Sequence, residues 1–236
     1  MTTLLLFVHS PVAGPTTWTG TAAVLCDKGF RCAVPDLTAV TAEGPPYYPA
    51  LARTAAAAVD GADPVVVIGH SAAGALLPAV AAAVGERTTG AVFVDAMLPQ
   101  PGRSWFATAP PLLETQLRGL AVDGVLPPWH EWFPADALEE SVPDPQIRRR
   151  LIGEVPRLPL AYFDEPAPPA EFPESVTRAF LRLGSPFDRA ADQAERLGWW
   201  VARRDWDHLR MIADPDAVAD LIAQAIRRSA ATETTG

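Results

Sequence analysis

Four short runs in the first hundred residues are apolar almost throughout instead of alternating with polar residues: LLLFV (4–8), RCAVP (31–35), PVVVIGH (64–70) and GAVFVD (90–95). A strand that is apolar on both faces must be covered on both, which is the condition of a parallel sheet flanked by helices. The segments between the runs suit such helices. Residues 18–28 end at Gly29, residues 47–59 are rich in alanine, and residues 72–84 end at Gly85. Strands alternating with helices predict an α/β fold around a parallel sheet.

The pattern breaks after Pro99. From 100 to 175 the chain is rich in Pro, Trp, Phe and Glu, and stretches such as LLETQLRGLAV (112–122) and DPQIRRRLIGEV (144–155) read as short helices. A segment of this length is not expected to be a structureless loop. It reads as an inserted helical cap or lid without a core strand, so residues 1–99 and 176–236 form the core. Strands are expected again at 176–184 and 199–205, with a helix at 190–198. A last helix at 214–228 begins with Asp214 as N-cap and Pro215 in its first turn, and the tail beyond it reads as frayed.

Composition narrows the partners. The 236 residues carry a formal charge of −9 with no Lys/Arg-rich stretch, so neither nucleic acid nor an anionic membrane surface is expected. Cys26 and Cys32 are too few for a disulfide scaffold and read as small buried hydrophobes. The run at 4–8 is too short for a signal peptide or membrane span, which makes a cytoplasmic location the expectation. HExxH, a Cys/His cluster and a glycine-rich phosphate loop are all missing from the sequence, so no metal or organic cofactor is implied. The expected partner is a small-molecule substrate, bound by a monomer or a homodimer.

The chemistry centres on Ser71. The strand PVVVIGH runs into Ser71 and on into AAGALLPAVAAAV, the strand–turn–helix context of a G-x-S-x-G elbow. Ala73 stands where that pattern has its second glycine, with Gly74 one residue later. Such a turn presents the serine hydroxyl at the carboxyl end of the sheet, with the Ala72 N–H free to meet negative charge on a carbonyl oxygen. A serine needs a base. Of His9, His70, His130 and His208, only His208 follows the final strand and precedes the final helix, on the same edge as Ser71. His9 reads as loop-shaping, His70 as directed away by the turn, and His130 as structural or pocket-lining. Trp105, Phe106, Trp129, His130, Trp132 and Phe133 of the cap are candidates for an apolar or aromatic pocket.

Together FVHSPVAGPTTW, the VPD of the second run, GHSAAG, FVDAMLP and DHLRMIADPDAV resemble an α/β-hydrolase. The resemblance is closest to small esterases of the plant methylesterase and hydroxynitrile lyase type and to unassigned actinobacterial hydrolases. It implies a Ser–acid–His order with Ser71 as nucleophile and His208 as base. It also implies a sheet of about six strands, because the family's first two strands have no counterpart before His9.

Two carboxylates compete for the acid. Asp95 ends the strand GAVFVD, in a segment similar to the one that carries the acid in haloalkane dehalogenases; Asp188 follows the next strand, where most α/β-hydrolases hold theirs. Asp95 is favoured because only 20 residues separate Asp188 from His208. Asp207 is too near His208 in sequence, and Asp36 belongs to a structural turn.

The family's second oxyanion donor is usually the N–H two residues after the loop histidine, and here that residue is Pro11, which has none. Val12 N–H or the Ser10 hydroxyl is the expected substitute. The leading expectation is hydrolysis of an ester, thioester or lactone of a small apolar or aromatic metabolite through an acyl-enzyme. The alternatives are a lyase, cyclase or eliminating enzyme on the same scaffold, or a ligand-binding receptor with a vestigial triad. Ser10 occupies the hydroxyl position of hydroxynitrile lyases, but Leu209 replaces their lysine after the catalytic histidine, which argues against cyanohydrin cleavage.

Overall fold

The structure is a computed structural model that describes residues 3–132 and 137–233, the side chains of 137 and 229–233 excepted. Strand β1 (Leu4–Val8) leads through helix α1 (Thr16–Asp27) to β2 (Arg31–Ala33), and α2 (Tyr47–Ala56) leads on to β3 (Val65–Ser71). A 3-10 turn over Ala72–Ala75 precedes α3 (Leu77–Val84) and β4 (Thr88–Ala96). The chain then leaves the sheet. It forms α4 (Trp105–Thr108), α5 (Pro111–Leu120), β5 (Val125–Leu126), α6 (Ala137–Ser141), α7 (Pro145–Glu154), β6 (Leu158–Pro159) and α8 (Leu160–Asp164). It returns as β7 (Thr177–Arg182), α9 (Asp188–Arg196), β8 (Trp200–Arg203), α10 (Arg210–Ala213) and α11 (Pro215–Glu233).

The central sheet has six strands in the order β2-β1-β3-β4-β7-β8, and every pair is parallel. Its side chains alternate between two apolar layers. Leu4, Leu6, Val65, Val67 and Phe93 face the layer that includes α2, α3 and α9. Leu5, Phe7, Val66, Ile68 and Val92 face the layer that includes α1 and α11. Both layers need apolar residues, which is why the strands read as continuous runs. The chain proceeds outward from β1 to β2 and then crosses to β3 on the other side of β1. A crevice opens at such a reversal, outside the carboxyl ends of the strands. The loops after β1 and β3 therefore flank the place where a ligand meets this fold.

Four details differ from the sequence reading. The helix expected at 72–84 is broken into a 3-10 turn and α3, because Pro78 has no N–H for the Gly74 carbonyl and its ring would crowd that group. The segment between β4 and β7 contains a two-stranded antiparallel ladder, β5 with β6, that is separate from the central sheet. Cys26 is exposed and Cys32 half-buried, since one lies on the outer face of α1 and the other on an edge strand. Helix α11 continues to Glu233, past the expected end at 228.

Residues 97–176 do not keep their apolar side chains to themselves. Phe106, Leu117, Tyr162 and Phe163 join the layer of α2 and α3, while Leu138, Val142 and Leu151 join that of α1 and α11. Two carboxylates fasten the segment to the core. Pro15 and Pro46 stand at the N-caps of α1 and α2 and offer no capping side chain. Glu154 instead accepts the Thr16 N–H at 2.8 Å and the Thr16 hydroxyl at 2.7 Å, and Glu165 accepts the N–H groups of Tyr47 and Tyr48 at 2.7 and 2.8 Å. A carboxylate at a helix N-terminus satisfies free donors and complements the helix dipole. Glu165→Ala is accordingly expected to lower unfolding free energy by about 1–2 kcal/mol, read from urea denaturation at neutral pH.

Candidate active site

Ser71 is the last residue of β3 and adopts φ 58° and ψ −128°, a conformation that a non-glycine residue reaches only under constraint. Close packing holds the turn there. A Cβ on Gly74 would lie 2.0 Å from the Met97 carbonyl oxygen, and the Met97 N–H donates to the Ser71 carbonyl at 2.9 Å. Gly74 thus supplies the close approach that the elbow pattern assigns one residue earlier, while Ala73 is fully buried. Ala72 opens the 3-10 turn, where its N–H precedes any possible intrahelical acceptor.

Asp95 is set by a bulge. In the pairing of β3 with β4, His70 lies opposite Val94 and Ser71 opposite Ala96, so Asp95 is the extra residue, with φ 44°. The bulge turns its carboxylate toward the chain leaving β7. One oxygen accepts the N–H groups of Leu183 at 2.7 Å and Gly184 at 3.1 Å; the other lies 2.7 Å from His208 Nδ1. The Asp95 side chain is 1% exposed and that of His208 37%. His208 Nε2 is left without a described hydrogen-bond partner, as is Ser71 Oγ.

Asp188 sits elsewhere. It begins α9, is half exposed, and forms an ion pair with Arg182 at 2.8 Å that is not aligned as a hydrogen bond. Its neighbour Phe187 approaches the histidine instead: its ring stacks on His208 with planes 3° apart and centroids at 5.1 Å. Asp207 accepts the Leu209 N–H in a local turn and also the hydroxyl of Ser141 on α6, while Asp36 accepts the N–H and hydroxyl of Thr38 in a turn of its own.

His70 escaped the sequence reading. It does point away from the serine turn, but into His208. The two rings are 4.2 Å apart, and His70 Nε2–H donates to the His208 carbonyl at 3.0 Å. The loop that carries His208 is therefore gripped from β3 itself. The signal was a histidine beside the elbow serine on the opposite face of a buried strand. His9 shapes its loop as expected: Nδ1–H donates to the Ser10 carbonyl at 2.9 Å, and Nε2 accepts the Leu37 N–H at 3.0 Å.

Burial lowers the pKa of His9, and burial together with the neighbouring His208 holds that of His70 well below its usual 6.5. Both resist protonation in the folded protein more than in the unfolded chain, where they titrate near 6.5. Stability from this source is complete above that pH and falls below it, as the unfolded chain takes up protons that the folded one refuses. Urea titrations between pH 7.5 and 5.5 are expected to show the decline.

In the loop after β1, the Ala13 N–H donates to the Ser10 carbonyl at 2.8 Å, a turn in which the Val12 N–H takes no part. Pro11 is buried, and the Ser10 hydroxyl is buried without a partner among the described residues. Of the aromatic candidates, Trp105 borders a cleft beside Met97 and Leu98. Phe106 and Trp132 pack around Phe163, and Trp132 Nε1–H donates to the Pro127 carbonyl at 2.8 Å. Trp129 and His130 are half-buried side by side, and Phe133 lies outside the described residues. Among the described residues no three His, Cys, Asp or Glu side chains gather as a metal site, and no helix is long and apolar enough to cross a membrane.

The fold has close counterparts among solved structures. An extracellular alpha/beta-hydrolase from a Paenibacillus species, described as sharing structural and functional homology with tobacco Salicylic Acid Binding Protein 2, superposes with a TM-score of 0.73 at 18% identity over 95% of this chain and 99% of the other. Tomato methylketone synthase I, as its H243A variant, gives 0.70 at 14% identity over 97% and 99%. Polyneuridine aldehyde esterase gives 0.66 at 18% identity over 95% and 99%. No curated protein sequence matches the chain. The family model described as Alpha/beta hydrolase family matches residues 5–221, nearly the whole chain. The chain belongs to the alpha/beta hydrolase family.

Proposed function

We propose that the protein is a serine hydrolase that cleaves an ester, thioester or lactone of a small apolar or aromatic molecule. In this reading Ser71 Oγ attacks the carbonyl carbon while His208 Nε2 accepts the serine proton. Asp95 holds Nδ1–H, orienting the ring and stabilising the imidazolium. His208 then protonates the leaving oxygen or sulfur, and water, deprotonated by the same nitrogen, releases the acyl group from Ser71. The oxyanion meets the Ala72 N–H and, in place of the missing Pro11 donor, the Ser10 hydroxyl or the Val12 N–H.

The observation that carries the reading is the 2.7 Å contact of the buried Asp95 carboxylate with His208 Nδ1, at the same sheet edge as a serine held at φ 58°. Strain of this kind, beside a carboxylate-oriented imidazole, is typical of a nucleophile and its base. Among the counterparts an esterase stands beside a methylketone synthase, which supports small carbonyl compounds as the substrate class.

A second reading keeps these side chains as acid and base without an acyl-enzyme, in a lyase, cyclase or elimination. The loss of the usual donor at Pro11, next to a buried Ser10 hydroxyl with no described partner, favours it. A serine-directed phosphonate followed by intact-mass measurement, run alongside a panel of aryl esters, separates the two. An adduct on Ser71 with ester turnover is the expected result. An adduct without turnover of any ester favours the second reading or a receptor with a vestigial triad. No adduct would count against covalent catalysis altogether.

A further inference from the structure

His208 is held by more than its carboxylate partner. Asp95 meets it at one ring nitrogen, Nδ1, and a single hydrogen bond at the edge of a ring leaves that ring free to rock about the bond. Two further rings touch the imidazole. Phe187 lies parallel to it, with planes 3° apart and centroids at 5.1 Å, the offset-stacked arrangement that aromatic pairs favour. His70 approaches at 4.2 Å with the planes inclined by 38°, and its own ring is met edge-on by Trp18 at 6.1 Å and 86°. Trp18 is fully buried and its Nε1–H donates to the Val8 carbonyl at 3.2 Å, so this end of the row of rings is anchored in the core.

Phe187 is placed by the same carboxylate that meets His208. Strand β7 ends at Arg182, and the Asp95 oxygen turned away from His208 accepts the N–H groups of the next two residues, Leu183 and Gly184. The Leu183 carbonyl accepts the Trp206 N–H at 2.7 Å, which ties this turn to the segment that leads into His208. Gly184 permits the close approach, since a Cβ there would lie 3.3 Å from the Trp206 carbonyl oxygen. A 3-10 turn over Ser185–Phe187 follows, closed by the Phe187 N–H on the Gly184 carbonyl at 3.1 Å, and α9 begins at Asp188. Phe187 also packs against the apolar layer that includes α2, α3 and α9, so its ring is half-buried and restrained. One carboxylate thus fixes the imidazole at its edge and the turn that presents a ring to its face.

We propose that Phe187 is a positioning residue: its ring keeps the imidazole turned with Nδ1 on Asp95, covers one face of it from water, and favours the charged form that arises when Nε2 takes up a proton. The catalytic consequence rests on the reading of His208 as base, whereas the restraint on the ring stands on the stacking alone. A benzene ring presents its negative face to a neighbouring cation, which suits an imidazolium formed beside it. His70, whose burial disfavours its charged form, adds contact without adding positive charge. The His208 side chain is 37% exposed, so the face under Phe187 would otherwise be open to water that competes for Nδ1–H. Leucine fills similar apolar space but offers neither a flat face nor a quadrupole.

The test sets Phe187→Leu against Phe187→Tyr. Phe187→Leu is expected to lower kcat on a responsive aryl ester about three- to tenfold, with KM within about twofold of wild type, and Phe187→Tyr to recover most of the loss. A second readout needs no turnover. The His208 Nδ1–H proton, identified by its absence in His208→Ala, is expected to give a low-field proton NMR signal in the wild type. Phe187→Leu should broaden that signal through exchange with water, and Phe187→Tyr should restore it. A signal unaffected by Phe187→Leu overturns the proposal whatever the rate does, and so does a Phe187→Tyr variant that behaves as Phe187→Leu in both readouts. If no ester is hydrolysed but the signal follows the ring as expected, the restraint stands and the hydrolase reading falls. If esters are hydrolysed and Phe187→Leu matches wild type in rate and signal, the assignment of Phe187 falls and the hydrolase reading stands.

Discussion

Replacing Ser71 by alanine is expected to lower kcat on a responsive aryl ester roughly 10⁴–10⁶-fold and to abolish the phosphonate adduct. The magnitude follows from how the parts depend on one another. Without the hydroxyl, His208 has no proton to remove and Asp95 orients a base with no task, so all three contributions vanish together. The double variant Ser71→Ala/His208→Ala is expected to fall no further than either single one. Steady-state kinetics, with stopped-flow detection of any acyl burst in the wild type, check both statements. The backbone at this position is strained for any side chain, so alanine keeps the cost that serine already bears and its melting temperature should stay near wild type.

Asp95→Asn is expected to cost about 10⁴ in kcat, while Asp188→Asn stays within about threefold of wild type. The asparagine oxygen can still accept the N–H groups of Leu183 and Gly184 that Asp95 accepts at 2.7 and 3.1 Å, so the loop after β7 remains satisfied. What changes is the group facing His208. An amide N–H in place of the carboxylate donates to Nδ1, which drives the imidazole proton to Nε2, where it blocks acceptance of the serine proton. Asp95→Ala is a poorer experiment, since two buried N–H groups would lose their acceptor at about 1–3 kcal/mol each. Asp188 contributes a half-exposed ion pair with Arg182 and nothing to the imidazole. The opposite outcome, with Asp188→Asn inactive and Asp95→Asn near wild type, would sink the placement of the acid on β4.

The two sheet layers, the elbow serine and the histidine past the last strand were legible because each rests on local rules. A strand covered on both faces must be apolar along its length, and only a short list of residues suits a strained strand-to-helix turn. Asp214 as N-cap of α11 is equally local, and its carboxylate accepts the Ala217 N–H at 3.2 Å. The helix after Ser71 was misjudged at one residue, Pro78, whose effect falls on a carbonyl one turn earlier.

The choice between Asp95 and Asp188 lay beyond such rules. Both end or follow a strand at the correct edge of the sheet, and separation along the chain gave only a preference. The bulge in β4, which turns Asp95 across to the ends of β7 and β8, arises from the register between neighbouring strands, and register is a property of the assembled sheet. The contact of His70 with His208 joins residues 138 positions apart, and Glu154 reaches Thr16 over the same separation. By itself the sequence determined the layers, the order of the strands along the chain and the candidate nucleophile and base, because periodicity and turn chemistry act within a few residues. Tertiary structure alone decided which carboxylate meets His208, what grips the loop that carries it, and which side chains pack around it, because those are distances between segments that only packing brings together.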